Sequence, residues 1–475
     1  MKIKKFIKKH KYVISFGIML VCFSLFMCVL FQKESDYFWH IKAGEYMFNN
    51  KEVLTKDVFS WVMSGSYWMS HEWAFDVSIF LLSKVFGKMH LFVYTFGCVL
   101  LLMGILFWTN KNKYLKNIIF SLFWVVCFLM FCVYMQARPH LLSFSFLALT
   151  IYFTYDLFNN PESKKIYLLP IVTLFWANFH GGSSNLSYLF CFVFVIIGLF
   201  KFKFEKIEAK RIGKKQIKKY LIVALMCMVA ICINPHGLKM LWYPYSNMLD
   251  TVMINFISEW QPTTLSNFNH YPYFIFIIII VFIFLFSKKK IQFIDLALFG
   301  IAIVLGLKSI RFWGYTYIIM SYVIFNYIEV RKPDKGTCTV LLILSCLFVG
   351  LFITGIPTVK KEYKDAMLSS TLIDKIKEVE QERLYNMYDY GGELVYNDIS
   401  VFLDGRADLY SRSNLVDYKD ISLLNSDYVK LIDKYNFDYF LVSKEYPIAT
   451  YLKYEDNYEK VYEEKKIILY KKRFA

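Results

Sequence analysis

The chain has 475 residues, 57% of them hydrophobic and 20% aromatic, with 47 Phe, 36 Tyr and 10 Trp. An average soluble domain is about 45–50% apolar and about 25% charged, whereas this one is 20% charged, with the charges gathered in short clusters between long uncharged runs. That composition reads as a membrane protein and excludes disordered, collagen-like and coiled-coil classes. The formal charge of +17, from 55 Lys+Arg against 38 Asp+Glu, would point to nucleic acid in a soluble chain. Between apolar runs it points instead to cytoplasmic loops held at an anionic leaflet, with no nucleic-acid partner.

The first eleven residues carry Lys2, Lys4, Lys5, Lys8, Lys9 and Lys11, and the uncharged run 12–31 that follows matches the roughly 20 residues needed to span a bilayer. It reads as a first span with its N-terminus inside. The run ends in Leu30-Phe31-Gln32-Lys33, without the small-x-small site of a cleaved signal, so it is expected to be retained. Residues 32–90 then form the first outer loop, in which Trp73–Phe86 is read as an interfacial amphipathic helix. Further spans are expected near 91–109, 117–135, 140–157, 166–179, 185–200, 220–234, 273–287, 291–307, 312–328 and 338–356. This gives a polytopic α-helical membrane protein of about 11 transmembrane helices. The register satisfies the positive-inside rule, because the loops it places inside hold Lys111/Lys113/Lys116, Lys164/Lys165, the cluster from Lys201 to Lys219, Lys288/Lys289/Lys290 and Arg331/Lys332/Lys335.

After Pro357 the composition changes. Residues 358–475 are charged and lack a spanning run, so the chain divides into a transmembrane domain, 1–357, and an extracytoplasmic soluble α/β domain, 358–475. Within the latter, 371–383 and 428–435 have helical periodicity, and 393–396, 401–403, 439–443 and 467–470 are strand-like. All ten cysteines lie in or at the ends of apolar runs and behave as small hydrophobes. Extracytoplasmic chemistry therefore rests on carboxylates, His or Arg rather than thiolates or disulfides.

The polar residues collect on one face. Every histidine except His10 falls on or near the expected outer side, and the first outer loop is the richest segment, with Asp36-Tyr-Phe-Trp39-His40, Gly44-Glu45, Asp57-Val-Phe-Ser60 and Ser70-His71-Glu72-Trp73. An acid just past a span, among interfacial aromatics, is partly desolvated and suits general-base work; the alternative is a helix-capping Asp36 among ordinary interfacial rings. Polar breaks recur at later span ends: Gln136-Ala-Arg138-Pro139-His140, Trp176-Ala-Asn178-Phe-His180-Gly181-Gly182, Asn234-Pro235-His236-Gly237, Ser258-Glu259-Trp260 and Lys308-Ser-Ile-Arg311. Ionisable groups at membrane depth are costly and by default suggest function. Arg138, Lys308 and Arg311 suit an anionic phosphate, or else pair with Asp36, Asp57 or Glu259 and hold loops together. The histidines and carboxylates could supply zinc or manganese ligands, but no pair has the close spacing that makes a metal specific. A divalent ion stays open as a cofactor. No GxxxxGK[ST] or strand-GxGxxG-helix unit supports nucleotide chemistry.

Residues 12–106 resemble the GT-C superfamily of membrane glycosyltransferases, which includes protein O-mannosyltransferases and lipid A aminoarabinose transferases. In that superfamily an acidic residue after the first span is the catalytic or substrate-orienting carboxylate. Asp36 matches that position, and Glu72 with the following helix resembles the superfamily's acidic residue and amphipathic helix. Asp36-x-x-Trp39-His40, Asp57-x-Phe-Ser60, His71-Glu72-Trp73, Arg138-Pro139, Trp176-Ala-Asn178-x-His180-Gly181, Asn234-Pro235-x-Gly237, Glu259-Trp260, Tyr388-Asp-Tyr-Gly391-Gly392 and Asp404-Gly405-Arg406-Ala-Asp408 resemble, as a set, a broad group of bacterial GT-C-like proteins. The chain departs from the better-known families in having no Asp-Glu pair after the first span and no Lys-Pro-Pro before the amphipathic helix.

The resemblance implies inverting transfer of a sugar from a polyprenyl-phosphate carrier to a hydroxyl of an envelope glycan, lipid or protein on the outer face of the plasma membrane. Asp36, Glu72 and Asp57 are the candidate catalytic carboxylates. Arg138 and Arg311 would hold the leaving phosphate, and Trp39 and Trp73 would pack on sugar or isoprenoid. His40, His71, His140, Asn178, His180, His236, Glu259 and Lys308 complete the candidate substrate-binding set. The Asp404–Asp408 segment either contacts the acceptor or is a tight turn tied by an Asp to Arg pair. Two other classes stay open: a lipid-linked glycan transporter or flippase, which should carry inverted repeats, and a non-catalytic envelope scaffold, in which Asp36 is dispensable.

Overall fold

The computed structural model of the protein describes residues 2–30, 36–134, 137–329, 336–366, 368–379, 383–410 and 412–473. Gln136, which opens one of the polar breaks, and Arg331, Lys332 and Lys335 of one Lys/Arg cluster lie outside the described residues. The chain forms two compact units. One comprises Met1–Gln32, Lys88–Tyr245 and Ile257–Lys360; the other comprises Lys33–Gly87, Ser246–Phe256 and Lys361–Ala475.

The first unit is predominantly helical. Among the described residues of the chain, six helical stretches are long and apolar enough to cross a membrane: Lys9–Leu30, His140–Asn159, Gly181–Gly198, Phe268–Phe286 and Thr337–Pro357 belong to this unit, and Trp73–Lys111 begins in the second unit and continues into this one. The other runs expected to span form shorter or more charged helices. Ile118–Cys127 tightens into a 3-10 helix over Phe128–Tyr134, and Lys165–Leu168 is a 3-10 turn leading into Leu169–Phe179. Lys214–Cys232 opens on a lysine turn, and Phe293–Lys308 and Trp313–Val323 have 16 and 11 residues.

Every residue of Trp313–Val323 is buried, as expected of a helix apolar all round and enclosed by others. Its rings lock it in place. Trp313 stacks on Tyr273 with centroids 5.4 Å apart, and Tyr317 stacks on Trp124 at 5.3 Å. Trp124 Nε1 donates to Ser321 Oγ at 2.8 Å, while the Tyr317 hydroxyl donates to the Trp124 carbonyl at 3.0 Å. Buried Asp295 ties its own helix to two further segments, accepting from the hydroxyls of Tyr155 at 2.8 Å and Tyr327 at 2.5 Å. Such an acid is tolerated in an apolar interior because its lone pairs are satisfied.

The second unit holds a four-stranded sheet in the order Leu384–Asn386, Tyr439–Ser443, Ile467–Lys472, Tyr458–Glu464. The first pair is parallel and the others antiparallel. Tyr439–Ser443 is buried at all five positions, as its β-branched and aromatic run requires of a central strand. Helices Ser370–Glu378, Tyr388–Tyr396, Arg412–Leu423, Tyr428–Tyr435 and Pro447–Tyr454 belong to the same unit. So do Asp36–Asn50 and Trp73–Phe86, which pack so closely that a Cβ at Gly44 would overlap the Asp76 carbonyl.

Two local expectations change. Residues 393–396 are not a strand but the last turn of helix Tyr388–Tyr396. The β propensity of Leu394 and Val395 yields to tertiary packing, because bare Gly391 brings the helix backbone against the Leu403 carbonyl, where any Cβ would clash. Residues 401–403 form no ladder; Val401 makes only an isolated parallel bridge to Ser60.

Candidate functional site

Asp36 stands in the first turn of helix Asp36–Asn50, where the helix dipole favours a carboxylate. Trp39 and His40 follow on the buried side, their rings stacked 3.6 Å apart. Gly405 lies directly against this turn. A Cβ at Gly405 would overlap Asp36 Oδ1 and lie 2.8 Å from Trp39 Nε1, so the tail approaches the first-turn acid with its bare backbone.

His40 is buried between two acids. Its Nδ1 donates to Asp76 Oδ1 at 2.6 Å, and its Nε2 lies 3.8 Å from Glu72 Oε2. A histidine bound at Nδ1 by a carboxylate has its ring orientation fixed, which directs Nε2 at Glu72. His71 approaches Glu72 from its other oxygen, with Nε2 3.3 Å from Oε1, and its Nδ1 is 3.7 Å from Asp408 Oδ2. Burial alone would lower the His71 pKa. The carboxylates of Glu72 and Asp408 outweigh it and push the value up to about 9, so His71 is a cation at neutral pH. A continuous run of contacts thus links Asp76, His40, Glu72, His71 and Asp408.

Asp57 has a different setting. Its Oδ1 receives Arg406 Nη1 at 2.6 Å, and its Oδ2 receives the Ser60 hydroxyl at 2.6 Å and the Ser60 amide at 3.0 Å. Arg406 also clasps Asp404 through Nε, at 2.9 and 3.1 Å to the two oxygens, and through Nη2 at 2.6 Å. All three side chains have 0% exposure. The guanidinium lies 5.0 Å from the ring centres of both Phe59 and Trp68, a sleeve that shields the ion trio from water. This geometry fits a clamp rather than a base. It also favours the tied turn over acceptor contact for Arg406.

The remaining candidates lie in the helical unit. Arg138 Nη1 is 3.3 Å from Glu259 Oε1, the pairing that a loop-holding role predicts. Arg311 lies over the Trp260 ring at 5.5 Å, and Ser309 Oγ donates to the Glu259 carbonyl at 2.7 Å. Arg138, Glu259, Trp260 and Arg311 are therefore neighbours, with Lys308 exposed beside Ser309. The histidines and Asn178 of this unit have partners within it. His180 Nδ1 is 2.6 Å from Ser143 Oγ, which also accepts from Trp176 Nε1 at 2.8 Å. His140 packs edge-on to Phe144 at 5.7 Å. Asn178 donates to the Ile233 carbonyl at 3.0 Å, and the His236 amide donates to Asn234 Oδ1 at 2.6 Å.

Among the described residues no group of three or more His, Cys, Asp or Glu side chains is arranged to hold a metal ion. Sequence reasoning passed over Asp76 and left Asp408 outside the site. Asp76 did carry a signal, since it is an acid inside the otherwise apolar stretch Trp73–Phe86. Trp73 opens that helix, partly exposed.

A solved structure similar to this chain is that of the oligosaccharyltransferase of Archaeoglobus fulgidus in its apo form. The TM-score is 0.56, over 91% of this chain and 69% of that one, at 13% identity. At that identity the likeness concerns the fold alone. No protein-family model matches the chain, and no curated protein matches it.

Proposed function

We propose that this chain is a membrane glycosyltransferase that moves a sugar from a polyprenyl-phosphate carrier to a hydroxyl of an envelope acceptor on the outer face of the plasma membrane. The observation that carries the proposal is the convergence, within one unit, of Asp36 with Trp39 against Gly405 and of Glu72 between two histidines. The fold likeness to an oligosaccharyltransferase supports the same reading.

In the proposed reaction the acceptor oxygen attacks the anomeric carbon as the carbon–oxygen bond to the lipid phosphate breaks. The acceptor proton passes to a carboxylate, and the phosphate departs with the bonding pair. No nucleotide is needed, because the phosphate ester carries the activation and the protein supplies positioning and one base. Asp36, in the first turn of its helix, orients the acceptor or takes its proton. Glu72 is the second carboxylate, fixed on one side by His40, which Asp76 orients, and on the other by cationic His71. Asp57 belongs to the clamp and not to the chemistry.

The test is mass spectrometry of envelope glycans and polyprenyl lipids from cells carrying wild-type protein, Asp36→Asn or a deletion. The proposal expects Asp36→Asn, present in the membrane at wild-type level, to match the deletion by losing one sugar and accumulating its lipid carrier. An Asp36→Asn strain with wild-type glycans, beside a deletion with altered ones, overturns the carboxylate assignment.

A further inference from the structure

Helix Asp36–Asn50 has a second polar stripe, separate from the face that carries Trp39 and His40. Lys42, Glu45, Tyr46, Asn49 and Asn50 follow the i, i+3, i+4, i+7, i+8 spacing of one helix face. Such a stripe is ordinarily solvated. Here it forms one wall of a cavity of about 520 Å³, whose other walls are Val58 and Phe59 of the following loop and Val395, Asp398, Ile399 and Ser400 of the tail. That volume lies within the range of small-ligand sites, roughly 300–1,000 Å³.

The chemistry of the walls selects a ligand. Lys42 Nζ is already held by two carboxylates, 2.9 Å from Glu45 and 2.6 Å from Asp398. The lining thus has no spare cation for a phosphate or sulfate, and its two acids outnumber its one base. The acids together with the Asn49 and Asn50 amides and the Tyr46 and Ser400 hydroxyls offer donors and acceptors side by side. Among them stand apolar Val58, Val395 and Ile399 and the Phe59 ring, which meets Tyr46 edge-on at 6.3 Å. A ligand matching this mixed lining has vicinal hydroxyls on its rim and an apolar ring face. Asp398 adopts φ of +62°, a left-handed conformation that aspartate tolerates better than most residues, and from it reaches Lys42 across the cavity.

We infer that this cavity is a binding site for a neutral, hydroxyl-rich sugar ring, the acceptor's in the proposed transfer. Only its use as an acceptor subsite rests on the transferase proposal; the binding itself does not. The experiment uses the full chain in a zwitterionic detergent that has no sugar headgroup. Saturation-transfer NMR is recorded with the methyl glycosides of glucose, galactose, mannose and N-acetylglucosamine, with glucuronic acid and inorganic phosphate as charged probes. At least one neutral glycoside is expected to bind. Its affinity should fall at least tenfold in Asn49→Trp and in Ser400→Trp, which fill the cavity from exposed positions, and should be unchanged in Lys430→Ala, an exposed position outside the cavity lining. The inference is overturned if no neutral glycoside binds wild type, if a charged probe binds more tightly than all of them, or if the filled variants bind as wild type does. If the deletion leaves the envelope glycans and polyprenyl lipids unchanged while the filled variants still lose sugar binding, the transferase proposal falls and the binding site stands.

Discussion

Arg406→Met removes the cation from a pair of carboxylates that have no access to water. Asp57 and Asp404 each lose a bond of 2.6 Å to the guanidinium and would remain buried and uncompensated. Breaking such a buried pair from one side costs about 3–5 kcal/mol. Methionine fills the sleeve between Phe59 and Trp68, so lost packing adds little. The amides that report the break are those joining the first loop to the tail: Trp61 N to the Val401 carbonyl at 3.0 Å and Val401 N to the Phe59 carbonyl at 3.2 Å. Hydrogen exchange followed by mass spectrometry on the full chain reads them directly. With each 1.4 kcal/mol worth tenfold, exchange of peptides covering 57–61 and 400–406 should accelerate by about a hundredfold to several thousandfold. Adding Asp57→Asn and Asp404→Asn to Arg406→Met removes the unpaired charges and should restore at least half of the lost protection on a logarithmic scale. Unchanged exchange in Arg406→Met refutes the clamp. A triple variant less protected than the single one refutes the electrostatic account of it.

Three further outcomes are expected. Gly405→Ala places a methyl on Asp36 Oδ1 and should reduce sugar transfer at least tenfold while leaving exchange at 57–61 as in wild type; full transfer would show that Asp36 need not hold its place. His71, raised to about 9 by Glu72 and Asp408 from an ordinary 6.5, contributes stability that is complete below about pH 6.5 and lost as pH rises through 9. At about 1.4 kcal/mol per pH unit this is at most about 3 kcal/mol, so melting curves of wild type and His71→Gln should converge between pH 6.5 and 9, and parallel curves would sink the assignment. Arg138→Ala leaves Glu259 without the partner at 3.3 Å. If Arg138 holds phosphate, the double variant with Glu259→Ala stays inactive in the glycan assay; if the pair only braces a loop, the double variant recovers.

The helical half of the fold was legible because long apolar runs favour helices: among the described residues each expected span from 12–31 to 338–356 overlaps a helical element, and six helical stretches are long and apolar enough to cross a membrane. What the runs did not disclose is which helices are enclosed. Trp313–Val323 resembles its neighbours in composition, yet it is buried throughout by rings from Tyr273 and Trp124 that no local pattern connects to it. The partners of the histidines were hidden for a related reason. Their clustering at span ends is visible in the sequence, but that His180 meets Ser143 and His140 packs on Phe144 is decided by tertiary contacts. Asp57 and Arg406 are 349 positions apart, and neither periodicity nor spacing reaches across that interval.

The segment Asp404-Gly405-Arg406-Ala-Asp408 concentrates the organisation of the second unit in five residues. Asp404 and Arg406 lock onto Asp57, Gly405 meets Asp36 and Trp39 with bare backbone, and Asp408 reaches His71. The setting of the first-turn acid is therefore built from the far end of the chain. Removing the tail would strip Asp57 of its cation and Asp36 of its wall together, an outcome that a scaffold and a transferase predict alike. Gly405→Ala separates them. One methyl leaves the ion trio bonded and the tail in place, so a scaffold would work as before, whereas a transferase that depends on the position of Asp36 would not.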